Sequence, residues 1–329
     1  MQKKNESKLL CKFSGELEPL FFSLVDYRNK LFTSNDPNKI FEFYDGFKDC
    51  DQLIRWMKER PNGAHTIYEV EGNKDVIVVI PTIDFNGRYA KECRNNIFRD
   101  IHIVFVESGE GNYYFNYAHN VNDGVRKAME YNPKWIVVSN DDVYKIDDVN
   151  ILTSALQHLD NNIFHLVFPL PPGEFHTLTQ NIGTPRRFRN FILYFRNATR
   201  QKLDVESKFG IKVVTWREWY RYFSYFIYKK IKSFPITLAF TIISPYFIRS
   251  NDGILFDETY INGFEDVDIS FYFSEHTQNV GWINYRIGDF IASSIGTGEF
   301  RVLTDRANAA YFQSKNSERL KANFDRHIR

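Results

Sequence analysis

Three short runs of consecutive apolar residues constrain the fold of this chain more than any other feature. They are VIVVI (76–80), IHIVFV (101–106) and WIVV (135–138). A strand that is apolar without alternation is expected to be buried on both faces, as in a parallel sheet covered by helices. Because helical segments fit between these runs, the pattern predicts βαβ units and an α/β fold with a mostly parallel sheet flanked by helices.

Further elements follow from apolar periodicity and from the turn residues at their ends. They are helices at 51–60, 118–129, after Asp148 and from Asp266 to His276, with strands at 66–70, 164–168 and within 237–247. We therefore predict an N-terminal extension of unknown role over residues 1–73, an α/β domain over 74–300 and a C-terminal helical tail over 301–329.

Composition excludes several classes of protein. The formal net charge is +1, which gives no overall attraction to nucleic acid. The three cysteines form no CxxC pair, so their pattern predicts neither a disulfide framework nor a zinc site. The chain shows no signal peptide and no apolar run of membrane-spanning length, so a cytoplasmic protein is expected.

One segment, residues 186–232, is both basic and aromatic. It carries thirteen Lys or Arg against three acids, a net charge of +10. Three interpretations stay open: a solvated helix packed through its aromatic side, a surface for a phosphorylated or lipid-linked acceptor, and a helix lying on a membrane surface.

Polar residues follow the predicted parallel strands at Pro81-Thr82, Glu107-Ser108 and Asn140-Asp141-Asp142. Ligands of open α/β sheets bind at these carboxyl ends. The Asn140–Asp142 segment is either a plain turn, which Asn and Asp favour, or an oxygen cluster that holds Mg²⁺ or Mn²⁺ on a diphosphate. Glu107 is either part of a turn or an acceptor for a nucleobase or ribose.

Two further positions depend on predicted helix starts. His119 is expected to cap the helix over 118–129, whereas Asn120 is left open between capping and ligand contact. Glu265 and Asp266 are either acids stabilised by a helix N-terminus or a general base with its neighbour. For Asp268 the simple helix-terminal role is favoured.

Together these segments resemble glycosyltransferase family 2, whose members have the Rossmann-like GT-A fold. The resemblance is carried by VIVVIPT (76–82), IVFVESG (103–109), FNYAHNVNDGVRKA (115–128), IVVSNDDV (136–143) and FDETYINGFEDVDIS (256–270). It implies an inverting transferase that moves a sugar from a nucleotide-sugar donor to a glycan or lipid-linked acceptor. The protein would lie in the cytoplasm or peripherally on the cytoplasmic face of a membrane.

The resemblance also implies roles for individual residues. Asp142 would be the principal ligand of Mn²⁺ or Mg²⁺, with Asn140 beside it, and Asp266 the catalytic base helped by Glu265. Donor contacts would come from Pro81, Thr82, Glu107, Asn120 and Asp141. Asn140 stands where the motif usually begins with an aspartate, and residues 291–298 contain no histidine ligand. A non-catalytic sugar- or nucleotide-binding relative is therefore the alternative; a two-carboxylate glycoside hydrolase agrees less well with a parallel sheet.

Overall fold

The structure is a computed structural model that describes residues 43–44, 46–110, 112, 114–169, 177–181, 233–237, 240–289 and 301–319. Its contacts divide the chain into two compact units. One comprises residues 1–60, 181–233 and 295–329, and the other, called here the α/β unit, comprises residues 61–180 and 234–294. The predicted basic and aromatic segment 186–232 and the stretch 291–298 lie outside the described residues.

A seven-stranded sheet forms the centre of the α/β unit. The described strands are β1 (Thr66–Val70), β2 (Asn73–Thr82), β3 (Ile101–Glu107), β4 (Trp135–Ser139), β5 (Val143–Lys145), β6 (Leu166–Pro169), β7 (Thr177–Asn181), β8 (Ser233–Thr237), β9 (Phe240–Ile243), β10 (Val280–Ile283) and β11 (Ile287–Asp289). The large sheet has the order β1-β3-β2-β4-β9-β6-β10, and β1 and β9 run antiparallel to their neighbours. The mostly parallel sheet predicted from the apolar runs is confirmed, and its architecture is compatible with a Rossmann-like fold.

Helices of the α/β unit cover its sheet and follow strands in the expected alternation, while α1 and α7 belong to the other unit. The described helices are α1 (Cys50–Glu59), α2 (Arg88–Glu92) with a π-helical continuation (Cys93–Ile97), α3 (Tyr117–Met129), α4 (Val149–Gln157), α5 (Pro245–Ser250), α6 (Glu265–Phe273), a 3-10 turn (Thr277–Asn279) and α7 (Arg301–Lys315). Asp148 caps α4, as predicted, by accepting from the backbone N–H of Asn150. The segment 237–247 enters the sheet as β9 and then turns into α5, where Ser244 is the cap.

Two apolar layers, one on each face of the sheet, account for its burial. On one face, α3 contributes Ala118, Val121 and Val125 to a layer that includes Ile77 and Val79 of β2. Alternate β2 residues, such as Val78 and Ile80, point to the opposite layer, where α4 and the π-helical turn pack. Both faces of β2 are buried, which explains why its sequence is apolar without alternation.

Gly124 sets the close approach of α3 to the sheet. A Cβ built at this position would lie 2.5 Å from Val79 Cγ1 and 2.8 Å from Val106 Cγ2. No side chain fits there unless the helix moves away from β2 and β3. The absence of a side chain therefore places the start of α3 near the carboxyl ends of these strands.

The other unit contains α1 and α7. Phe43, Phe47 and Trp56 form a cluster of aromatic rings with centroids 5.0–5.8 Å apart. The backbone N–H of Ala307 in α7 donates to the Tyr44 hydroxyl at 3.2 Å. Within the described ranges of either unit, none of the helices combines the length and the apolar character needed to cross a membrane.

Candidate active site

The carboxyl ends of β2, β3 and β4 meet at one edge of the sheet. Thr82 and Glu107 are partners in the β2–β3 register, and Ser108 N donates to Thr82 O at 2.9 Å. The Thr82 hydroxyl donates to Asp141 Oδ2 at 2.7 Å. Strand pairing and one side-chain hydrogen bond thus bring three of the predicted donor-binding residues into a single group.

Glu107 is held by the loop that follows β2. Its Oε2 accepts from the backbone N–H of Phe85 at 2.6 Å, and the Phe85 ring stacks on Tyr68 with centroids 4.5 Å apart. The carboxylate is half-buried, and its second oxygen has no hydrogen-bond partner among the described residues. That oxygen is available to a ligand N–H or hydroxyl at the strand edge.

Asp141 and Asp142 place two carboxylates side by side at the end of β4. Asp142 is only 6% exposed, and Asp141 is half-buried. The pKa of Asp141 is raised to about 6, mainly by burial; the Thr82 hydrogen bond opposes this shift, and neighbouring Asp142 adds to it. Burial is also the main cause that raises the pKa of the Cys93 thiol, whose Sγ donates to Asp141 O at 3.4 Å.

The second acidic pair stands at the start of α6, after a turn with unusual backbone angles. Asn262 and Phe264 have φ of 47° and 77°, the left-handed region that a bulky aromatic residue rarely adopts. Such conformations persist where surrounding contacts enforce them, and they concentrate at functional sites. Here the turn orients the acidic residues that follow it.

Hydrogen bonds fix both carboxylates of this pair. Glu265 is 4% exposed, and its Oε1 accepts from Gly263 N at 3.0 Å across the turn. Asp266 is half-buried, and its Oδ1 accepts from Val267 N at 2.8 Å. Glu265 thus stabilises the turn, while Asp266 is the more exposed of the two acids.

Tyr117, the first residue of α3, connects the two acidic clusters. Its hydroxyl donates to Asn140 Oδ1 at 3.2 Å, and its backbone N–H donates to Asn262 Oδ1 at 2.8 Å. Burial raises the pKa of the Tyr117 hydroxyl far above its usual range, and four carboxylates raise it further. These are, in order of effect, Glu265, Asp266, Asp142 and Asp141. Both acidic pairs therefore affect the pKa of one half-buried tyrosine.

Asn120 lies one turn further along α3 and is 2% exposed. Its Nδ2 has no hydrogen-bond partner among the described residues, which is costly for a buried amide. Pro81, the remaining predicted donor-binding residue, is buried at the end of β2. The prediction that His119 caps the helix is wrong, because Asn116 is the cap and accepts from His119 N at 3.3 Å.

Of the two predicted metal ligands, Asp142 offers a carboxylate of the kind that Mg²⁺ and Mn²⁺ prefer. Asp141, which was predicted to contact the donor, is the preceding residue and offers a second carboxylate. The raised pKa of Asp141 reports a burial and like-charge cost that a bound cation would relieve. Asn140 differs, since its Oδ1 already accepts from Tyr117.

Two contributors to this edge were missed by sequence reasoning. Tyr117 stands among many aromatic residues in the chain, so its type carries no signal. Asn262 is 145 positions from Tyr117, and only the folded chain brings them together. Comparisons with known proteins add no constraint, since no family model, curated protein or solved structure matches the chain.

Proposed function

We propose that this protein is an inverting glycosyltransferase that uses a nucleoside-diphosphate-sugar donor. The observation that carries the proposal is that Tyr117 joins two acidic clusters. Its hydroxyl donates to Asn140 in the cluster after β4, and its backbone N–H donates to Asn262 in the turn that leads into the cluster at the start of α6. One cluster has the chemistry to hold a cation and a diphosphate, and the other has a carboxylate that can accept a proton. Sugar transfer from a diphosphate needs these two functions next to each other.

The donor would lie along the carboxyl ends of β2, β3 and β4. Glu107 offers a carboxylate oxygen to a base or ribose, and the Asn120 amide offers a buried N–H donor. A ligand oxygen that accepts from Asn120 Nδ2 would remove an unsatisfied buried group. Asp141 and Asp142 would hold Mn²⁺ or Mg²⁺, which when bound stabilises negative charge on the leaving nucleoside diphosphate.

In the proposed reaction Asp266 is the general base. Its carboxylate accepts the proton of the acceptor hydroxyl as that oxygen forms a bond to the anomeric carbon. The bond from the anomeric carbon to the diphosphate oxygen breaks on the opposite face, so the configuration inverts. The hydrogen bond from Val267 N holds the Asp266 carboxylate in position for this step. A positioned base of this kind contributes roughly 10²–10⁴-fold in rate.

A non-catalytic nucleotide- or sugar-binding protein is the second candidate. The hydrogen bond from Tyr117 to Asn140 favours it, because this amide oxygen serves the protein's own structure. A binding protein would keep the strand edge that recognises the donor but would not need Asp266 as a base. The two candidates therefore differ in turnover and agree in nucleotide binding.

The test is a two-stage measurement on the full chain. Nucleoside diphosphates and nucleotide sugars are first screened by thermal shift, with Mn²⁺ and with EDTA, and stabilising donors are then assayed for hydrolysis or transfer. We expect stabilisation that depends on Mn²⁺ and turnover that falls roughly 10²–10⁴-fold in Asp266→Asn. Asp268→Asn, a half-buried acid on the same helix, is the matched control and should retain turnover.

Each other outcome decides between the candidates. Binding without turnover by the unaltered chain, for every donor that binds, supports the binding protein. Equal turnover in Asp266→Asn and the unaltered chain removes Asp266 from the mechanism. If no nucleotide or nucleotide sugar stabilises the protein under either condition, the transferase and the nucleotide-binding protein are both wrong.

A further inference from the structure

Two histidines and an aspartate form a compact group away from the two acidic clusters. His65 directly precedes β1, while His119 and Asp123 lie one turn apart on α3. Asp123 Oδ2 is 3.0 Å from His65 Nε2 and 3.5 Å from His119 Nε2. In the part of the chain that the structure describes, these three offer ligand atoms that all lie within 4.8 Å of one another.

The two Nε2 atoms converge on one oxygen, Asp123 Oδ2. Neighbouring groups occupy the second oxygen of Asp123 and the second nitrogen of His119, whereas His65 Nδ1 is buried without a hydrogen-bond partner among the described residues. Asp123 Oδ1 pairs with the Arg126 guanidinium, so Oδ2 is the oxygen that faces the histidines. Glu258 Oε2 lies 2.9 Å from His119 Nδ1, which leaves Nε2 directed into the group. A carboxylate on the far nitrogen of a histidine is the usual support of a metal-binding imidazole, since it fixes the ring orientation and tautomer.

Glu258 is itself held in place. Its Oε1 accepts from Asn122 Nδ2 at 2.9 Å, and its Oε2 accepts from Asn62 Nδ2 at 3.0 Å. Second-layer carboxylates at metal sites are commonly hydrogen-bonded in this way. The three ligand atoms are therefore supported by a carboxylate, Glu258, that is itself held by hydrogen bonds.

The exposure of the group is also suited to a cation. The side chains of His65, His119 and Asp123 are 14%, 21% and 21% exposed, so an ion could enter from solvent.

We propose that His65 Nε2, His119 Nε2 and Asp123 Oδ2 bind one divalent cation of borderline softness, with Zn²⁺ preferred. Two imidazoles and one carboxylate are typical zinc ligands, whereas Mg²⁺ and Ca²⁺ prefer oxygen alone. Tetrahedral ligand atoms about 2.0–2.1 Å from zinc are about 3.3 Å apart. The two distances from Asp123 Oδ2, 3.0 and 3.5 Å, are close to this spacing, and the two nitrogens, which lie within 4.8 Å of each other, would move together on binding. Three protein ligands leave a fourth position for water or a ligand.

This site is separate from the hard-cation site, the name used here for the Mn²⁺ or Mg²⁺ site proposed at Asp141 and Asp142. It does not depend on the proposed function. It would join the chain before β1 to α3 and, through Glu258, to the loop that leads into α6. A bound cation would thus restrain the loop whose Asn262 contacts Tyr117. The cysteine pattern in the sequence gave no indication of this metal site, because none of the proposed ligands is a cysteine.

The test uses the full chain, free of affinity tag and of metal, titrated with Co²⁺ as a spectroscopic substitute for Zn²⁺. We expect one equivalent of Co²⁺ to give the visible absorption of a tetrahedral site, and Zn²⁺ to displace it. His65→Gln and Asp123→Asn should each weaken binding at least about 100-fold. Glu258→Gln should weaken it by about 10–100-fold, as expected of a second-layer change.

Two controls separate this site from other sources of binding. His158→Gln removes an exposed histidine elsewhere in the α/β unit and should leave Co²⁺ binding unchanged. Asp142→Asn removes a ligand of the hard-cation site and should also leave the tetrahedral spectrum unchanged. Circular dichroism and the melting temperature without metal show whether each variant is folded.

Two results would overturn the proposal. One is the absence of a tetrahedral spectrum in the unaltered chain. The other is equal affinity for Co²⁺ in the unaltered chain and in whichever of His65→Gln and Asp123→Asn folds. Both can occur whether or not the protein binds nucleotides, so this proposal and the proposed function fail independently.

Discussion

Replacing Asp141 by Asn should stabilise the metal-free protein at neutral pH. The folded-state pKa of Asp141 is about 6, above the ordinary value of 3.8, because burial and Asp142 disfavour its charged form. Between these two pH values the folded chain binds more protons than the unfolded chain does. The free energy of unfolding therefore falls as the pH rises from about 4 to about 6.

The size of this effect follows from the shift. One pKa unit corresponds to about 1.4 kcal/mol, so an ionised Asp141 costs about 2–3 kcal/mol at pH 7. Asn cannot ionise, and its amide oxygen can still accept from the Thr82 hydroxyl. We expect Asp141→Asn to raise the free energy of unfolding by about 2–3 kcal/mol at pH 7 and by nearly nothing at pH 4.

Urea unfolding followed by circular dichroism at pH 4, 5, 6 and 7 measures this difference. EDTA is included, since a bound cation would stabilise the ionised carboxylate and hide the effect. Asp252→Asn is the control: the residue is exposed, its φ of 52° suits Asn, and its effect should stay within about 0.5 kcal/mol. A destabilised Asp141→Asn at pH 7, or the same difference at pH 4 and pH 7, would refute the reasoning.

Two further predictions concern α3. Asn122 is fully buried and accepts from the backbone N–H groups of Leu255 and Phe256, each at 3.0 Å, so Asn122→Ala should lower the free energy of unfolding by about 2–4 kcal/mol. Urea unfolding checks this, and a loss below about 1 kcal/mol would contradict it. Gly124→Ala would place a Cβ 2.5 Å from Val79 Cγ1 and should cost about 1–3 kcal/mol despite the helix preference of Ala. A raised melting temperature in that variant would show that the helix–sheet contact is looser than described.

Much of the fold was predictable because local patterns and long-range packing agree. The runs VIVVI, IHIVFV and WIVV can satisfy their apolar character on both faces only in the interior of a sheet. They occupy β2, β3 and β4, which pair in parallel. Asp148 is a similar case, since a helix cap depends only on its own N-terminal turn.

The edge of the sheet was predictable for a different reason. Parallel strands end on the same side, so residues that follow β2, β3 and β4 must lie near one another. The pairing of Thr82 with Glu107 and the hydrogen bond from Thr82 to Asp141 agree with this rule. Which ligand this edge binds is not determined by the rule and remains a prediction.

Predictions were wrong or missing for features that depend on contacts between residues far apart in the sequence. His119 was expected to cap α3, but Asn116 does so, and His119 turns towards Glu258, 139 positions away. The direction of β9 was also not predicted, because an antiparallel strand between β4 and β6 follows from the path of the chain.

The sequence by itself determined the class of fold and the strand ends that carry acidic residues, because burial and strand direction act on neighbouring residues. Only the tertiary structure decided that Tyr117 lies between two acidic clusters and that His65 meets His119 and Asp123. These groups combine residues from separate segments, and the order of residues along the chain does not record which segments pack together. Their electrostatic effects depend on burial and separation, which exist only once the chain is folded.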